Sequence, residues 1–257
     1  MIIDSHCHIY SEKLNDIRQE ILQNINKNNQ LCICNADSIE TSNLCIQLAN
    51  NNANVYATVG VHPHEANTFD KDAISQLEKL VKQNKKVVAI GEIGLDYYYD
   101  FSPRELQKEA LKRQIELASN TNMPCVFHVR EATEDFLNIL EEMSQKYNIS
   151  GVVHSFSGSI ETAKILLKYD LYLGINGIIT FNNANKMLDV VKFLPLNKIL
   201  IETDCPYLTP VPFRGQVNRP EYVELVAEKI AQLKNISKEE VVKQTTINAI
   251  KIFNIKR

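Results

Sequence analysis

The sequence carries no surplus of basic charge: 28 lysines and arginines stand against 31 aspartates and glutamates, a formal charge of −3. That excludes a broad cationic footprint for duplex nucleic acid. It leaves room for a nuclease whose attraction for phosphate comes from bound metal. Cysteine is sparse, with six residues scattered through apolar runs, so no disulfide scaffold is indicated. No run approaches the ~18 uninterrupted apolar residues of a membrane span. The start, Met-Ile-Ile-Asp-Ser-His, lacks the basic and long apolar regions of a signal peptide. The expectation is a cytoplasmic protein with reduced thiols and no membrane association. Glycine is scarce, eight in 257 residues, and neither a G-x-G-x-x-G nor a Walker-type loop is present. No Pro/Gly/Ser-rich linker or charge block divides the chain, so one domain over 1–257 is expected. With 44% hydrophobic and 23% charged residues the composition is that of an ordinary globular protein.

What is present is an alternation. Short apolar runs, rich in Val and Ile and apolar on both faces, fall at 1–4, 31–35, 55–61, 87–91, 125–128, 151–154, 171–175 and 199–202. Such runs suit parallel strands covered by helices. Between them lie amphipathic stretches, such as the stripe Leu14, Ile17, Ile21, Leu22, Ile25. Ser102-Pro103-Arg104-Glu105 and Ser237-Lys238-Glu239-Glu240 read as capping boxes. Gly158-Ser159 and Asn182-Asn183 read as further helix starts, and Ser-Ile-Glu-Thr occurs twice, at Ser38 and Ser159. Eight strands each followed by a helix predict an α/β protein, a single-domain (β/α)8 TIM barrel. An open doubly wound sheet would give the same alternation, but its glycine fingerprint is missing.

All six histidines, His6, His8, His62, His64, His128 and His154, fall at or just past the C-terminal end of a predicted strand. Glu92 and Asp204 fall there too. In a barrel these ends surround one mouth, where active sites are built. Residues two apart in extended chain point the same way, so His6 and His8 can share one cation while Cys7 points away. Glu92, flanked by Gly91 and Gly94, would be a poorly solvated carboxylate that needs a cation. Mixed imidazole and carboxylate donors suit Zn, Mn, Fe or Co better than Ca. Two divalent ions would outweigh the charge of Glu92 and Asp204 and trap an anion. They could share Glu92 as a bridge and activate water.

Six motifs, Asp-Ser-His-Cys-His, Gly-Val-His-Pro-His, Gly-Glu-Ile-Gly-Leu-Asp-Tyr, Phe-His-Val-Arg, His-Ser-Phe-Ser-Gly and Ile-Glu-Thr-Asp-Cys-Pro-Tyr-Leu-Thr-Pro, run in order along the chain. Together they resemble the TatD family of metal-dependent deoxyribonucleases, amidohydrolase-like barrels in which Glu92 takes the place of a carboxylated lysine. The resemblance implies His6, His8, Glu92 and Asp204 as ligands of one metal. It implies Glu92, His128 and His154 as ligands of a second. The identity of the two (Zn, Mn, Mg, Fe or Co) stays open. It further implies that Asp204 orients the water and takes its proton, and that His62 contacts the scissile phosphate. His64 is expected behind it or on the loop. The implied activity is exonucleolytic hydrolysis of DNA from a 3′ end on single strands. The same chemistry could instead cleave an amide, lactone or ester bond, as in deacylation of aminoacyl-tRNA.

Three of the seven arginines, Arg130, Arg214 and Arg219, follow the fifth and eighth strands and are expected to bind phosphate. Tyr97, with Tyr98 and Tyr99, could stack bases of a single strand or anchor a loop. Phe156 and Phe213 could serve similarly. Glu202 shares a strand face with Asp204 and is expected to orient a metal-bound group or an arginine. Cys32, Cys34 and Cys205 read as packing. No obligate protein partner is indicated.

Overall fold

In a computed structural model, which describes residues 1–256, the eight apolar runs form eight parallel strands paired in sequence order, β1 to β8. They are Ile2–Cys7 (β1), Gln30–Cys34 (β2), Val55–Val59 (β3), Val87–Asp96 (β4), Cys125–Arg130 (β5), Gly151–Val153 (β6), Tyr172–Ile175 (β7) and Ile199–Ile201 (β8). The ring closes where Cys7 bridges Cys205 in parallel fashion. There the His8 amide donates to the Cys205 carbonyl at 2.8 Å and the Asp204 amide to the His6 carbonyl at 2.9 Å. The closure of the barrel thus brings His6, His8 and Asp204 to one seam. The strands and intervening helices form the (β/α)8 barrel that the alternation predicts.

The helices are Arg18–Lys27 (α1), Ile39–Asn51 (α2), Ala73–Gln83 (α3), Arg104–Asn120 (α4), Thr133–Ser144 (α5), Ile160–Lys168 (α6), Asn185–Phe193 (α7), Val223–Lys234 (α8) and Lys238–Ile252 (α9). None is long and apolar enough to cross a membrane. Both Ser-Ile-Glu-Thr repeats start helices: Ser38 accepts the Thr41 amide and Ser159 the Thr162 amide, each at 3.1 Å. Ser237 likewise accepts the Glu240 amide. The box at Ser102 is not formed. Pro103 takes the cap position of α4, and the Ser102 hydroxyl donates instead to the His64 carbonyl at 2.7 Å. A tertiary contact outcompetes the local one and ties the loop after β3 to the start of α4. The helix expected at Asn182-Asn183 begins two residues later, with Ala184 as its cap.

A buried cluster of Ile3, Ile33, Val126, Val152 and Leu200 with Phe253 fills the barrel near the starts of the strands. The larger cluster packs strands against helices. All six cysteines are free and buried. The Cys7 thiol donates to the Ile33 carbonyl at 3.2 Å and so leaves the mouth to His6 and His8. The register of β1 on β2 shifts between Asp4 and Cys7, and that of β4 on β5 between Ile90 and Ile93. Such irregularities re-aim side chains, and these two bracket His6 and Glu92.

Candidate active site

Four donor atoms meet at the β1–β8 seam. His6 Nε2 lies 3.3 Å from His8 Nε2 and 3.3 Å from Glu92 Oε2. Asp204 Oδ1 lies 3.7 Å from the first imidazole and 3.4 Å from the second, and His8 Nε2 lies 3.9 Å from Glu92 Oε2. A tetrahedral cation with donors at about 2.0–2.2 Å needs ligand–ligand edges of roughly 3.3–3.6 Å, so the spacing fits one small divalent ion. The other oxygen of Glu92 faces a second set. Oε1 is 3.0 Å from His128 Nδ1 and 2.6 Å from His154 Nε2, and these two nitrogens are 3.0 Å apart. His62 Nε2 approaches the same oxygen at 3.6 Å. All of these side chains are largely buried, and His6 is wholly so. One carboxylate therefore divides its two oxygens between two imidazole groups.

The outer edges of the rings set which nitrogens carry lone pairs. His8 Nδ1 donates to the Asn35 carbonyl at 2.9 Å, which turns a lone pair at Nε2 toward Asp204. His128 Nε2 faces Asp96 Oδ2 at 3.0 Å, which turns Nδ1 toward Glu92 as an acceptor. His62 is the reverse: its Nδ1 accepts the His64 amide at 3.1 Å, so its proton sits on Nε2 and points into the site. The lone pair so turned inward lies 3.0 Å from Glu92 Oε1 for His128 and 3.4 Å from Asp204 Oδ1 for His8, and each such pair is mutually repulsive unless a cation lies between. The same carboxylates attract positive charge to this point, as a proton on the rings where no metal is bound. Burial opposes charge on His8, but the Asp204 contact and Glu92 outweigh it and push this ring up to about 10. His128 is pushed up to about 9 against its burial by Asp96 and Glu92. His6, where burial and neighbouring His154 prevail, falls to about 4. Burial works against ionised Glu92, yet the surrounding imidazoles hold it well below the usual carboxylate range. The cluster draws positive charge inward, and the chemistry of its donors fits divalent metal.

Several carboxylates inside the same motifs hold this cluster from outside, and for Asp96 and Asp4 only the fold shows what they hold. Asp96, the last residue of β4, binds both His128 Nε2 and His64 Nε2, the latter at 2.9 Å. Asp4 holds the β8 end beside its own strand: the Thr203 amide donates to Oδ1 at 2.9 Å and the Thr203 hydroxyl to Oδ2 at 2.6 Å. Glu202 is wholly buried and accepts the Ser155 amide at 2.6 Å. Its Oε1 lies 3.8 Å from His154 Nδ1, which has no hydrogen-bond partner among the described residues. A Cβ at residue 174 would come within 2.3 Å of Glu202 Oε2, so glycine there leaves the carboxylate its slot. In Asp96→Asn the amide oxygen stays with the Tyr98 and Tyr99 amides that Oδ1 now accepts, so an N–H replaces the acceptor that fixes the His128 tautomer. The expected result is a loss of about 10–100-fold in divalent-metal affinity at the His128–His154 set. Calorimetric titration with Mn²⁺ or Zn²⁺ reads it directly, and an unchanged affinity would show that His128 needs no orienting partner.

The remaining residues singled out in the sequence are held in different ways. Tyr97 is held: its hydroxyl donates to Asp135 at 2.6 Å and the Arg104 guanidinium covers its ring at 4.2 Å. Arg130 lies over the rings of Tyr98 and Tyr99, and Arg214 over that of Phe181 at 3.9 Å with a hydrogen bond to the Thr209 carbonyl. Arg219 is ion-paired to Glu20 on α1. Phe156 is buried, and Phe213 stacks on Tyr222.

A (β/α)8 barrel whose mouth gathers four imidazoles and two carboxylates in this way defines a metal-dependent hydrolase. Residues 3–254 match the profile of the family described as TatD related DNase, and the chain belongs to the TatD family. It is 39% identical over 257 residues to an uncharacterized metal-dependent hydrolase of Bacillus subtilis, covering 99% of this chain and 100% of that one. Among solved structures it resembles a TatD homolog from Escherichia coli, with TM-score 0.91 and 30% identity over 99% of this chain and 98% of that one. A TatD family hydrolase from Entamoeba histolytica matches with TM-score 0.86 and 25% identity, covering 98% and 97% respectively.

Proposed function

We propose that the protein hydrolyses phosphodiester bonds of DNA, at 3′ ends of single strands, with two divalent cations as cofactors. His6, His8, Glu92 and Asp204 hold one cation, and Glu92, His128 and His154 hold the other. The observation that carries this reading is the division of Glu92, whose oxygens face two separate donor sets at 2.6–3.9 Å. Bound there, divalent cations lower the pKa of water and offset charge on a pentavalent phosphorus. Asp204 orients the attacking water and accepts its proton. His62, with its proton on Nε2, donates to an oxygen of the scissile phosphate. Arg130, Arg214 and Arg219 are the proposed contacts to flanking phosphates. Arg130 and Arg214 pair with no carboxylate among the described residues, whereas Arg219 must leave Glu20 to take part. The description of the matched family supports DNA as substrate. The six free, buried thiols suit the cytoplasm, whose thiol pool is reducing.

The test is release of mononucleotides from a 3′-labelled single-stranded oligonucleotide by metal-loaded protein, abolished by chelator and by Asp204→Asn. Inert DNA together with turnover of an aminoacyl ester, lactone or amide would move the reading to carbonyl hydrolysis.

A further inference from the structure

A group of three exposed aromatic rings follows β4 and a single one, Tyr207, follows β8. On the β4–β5 side, Tyr98, Tyr99 and Phe101 are 54%, 47% and 65% exposed. They form a continuous patch, with Tyr98 and Tyr99 centroids 4.9 Å apart and Tyr99 stacked on Phe101 at 5.3 Å. Arg130 lies 4.0 Å from the first ring and 4.7 Å from the second. The patch reaches the site through His64, whose ring is 4.8 Å from Phe101 and whose Nε2 binds Asp96. On the β8–β1 side, Tyr207 is 46% exposed, its ring 6.2 Å from that of His8, with the Lys13 ammonium 4.4 Å above it. Neither Arg130 nor Lys13 pairs with a carboxylate among the described residues, unlike Arg104 and Arg219.

In a ring of eight strands the β4–β5 and β8–β1 edges are diametrically opposed, and each patch touches a histidine of the site, His64 on one side and His8 on the other. Each patch pairs exposed aromatic rings with a cation that no carboxylate among the described residues neutralises. That combination recognises a base together with its adjoining phosphate, and it tolerates any base because all have π-faces.

Resting on the reading of the cluster as a phosphodiesterase, we propose that the patches are two base-stacking platforms on either side of the cleaved bond. The ligand is then a single strand of nucleic acid with a base on each side of the scissile phosphate. Stacking falls to Tyr98, Tyr99, Phe101 and Tyr207 rather than to Tyr97, which is held by Asp135 and Arg104.

The test compares a short DNA oligonucleotide with the same backbone carrying one abasic tetrahydrofuran unit, placed either 5′ or 3′ of the cleaved bond. It uses the metal-loaded full chain. The unmodified protein is expected to show KM about tenfold lower for each base present. Tyr99→Ala/Phe101→Ala should erase the preference for a base on one side, and Tyr207→Ala the preference for a base on the other. Tyr207→Leu, which keeps apolar bulk without a π-face, should behave like Tyr207→Ala. Equal KM for abasic and base-bearing strands in the unmodified protein overturns the platforms while leaving the nuclease reading intact. The platforms are overturned equally if both variants lose the preference on the same side. Failure to cleave any of the strands removes the nuclease reading, and the platforms with it.

Discussion

Replacing Glu92 with Gln is expected to lower turnover by at least about 10³-fold and to strip metal from both donor sets. Losing an outer partner of a ligand costs about 10–100-fold in metal affinity or activity. Glu92 is closer than that, and each of its oxygens serves a different set, so both are weakened at once and the losses compound. An amide also offers its oxygen to one set only and turns an N–H toward the other, and an N–H cannot ligate a cation. The measurement is metal content after gel filtration, beside steady-state rates at saturating metal. A variant that retains its full metal complement and turns over within tenfold of the parent would mean that the two sets do not share this carboxylate.

Much of this centre is legible in the sequence, for a physical reason. Parallel strands covered on both faces must be apolar, so a histidine or carboxylate that ends an apolar run marks the mouth. His6, His8, Glu92, His128, His154 and Asp204 all stand out on that ground and come together in the fold. The strand limits are less legible. The fourth run reads as ending at Gly91, yet β4 continues to Asp96 with all ten residues buried. Polar Glu92 and Asp96 look like a strand end in one dimension and are tolerated in three because imidazoles surround them. The roles of Asp96 and Asp4 are illegible because their partners, His128 and Thr203, are 32 and 199 residues away. Arginines illustrate the same limit. Sequence order sets Arg219 after β8 beside Arg214, but only packing shows that α1 brings Glu20 to it. Similarly, Tyr97, Tyr98 and Tyr99 are equivalent in composition, and one contact with the Asp135 carboxylate separates the loop anchor from the exposed rings.

Gly94→Ala is expected to destabilise the fold by about 3–5 kcal/mol and to disable the site in the same step. Residue 94 sits at φ +153°, which an L side chain rarely adopts, and such strain costs about 1–3 kcal/mol. Its Cβ would also lie 1.9 Å from the His128 carbonyl oxygen. The obstacle is backbone rather than a flexible side chain, so relief requires β4 and β5 to part. Overpacking of this kind costs a further 1–3 kcal/mol or so. Gly94 pairs with His128 in the ladder, and the flanking pairs Ile93–Phe127 and Leu95–Val129 join buried or partly buried residues. The strain therefore cannot dissipate toward solvent. At about 2–4 °C per kcal/mol for a chain of this size, the melting temperature should fall by roughly 10 °C or more. Any folded remainder carries a displaced His128, so divalent metal should restore less stability to this variant than to the parent, where binding adds RT ln(1 + [L]/Kd). Thermal melts with and without Mn²⁺ separate the two effects. A melting temperature within about 3 °C of the parent would show that β5 can yield at the strand carrying His128, and that the tight β4–β5 approach does not hold this ligand in place.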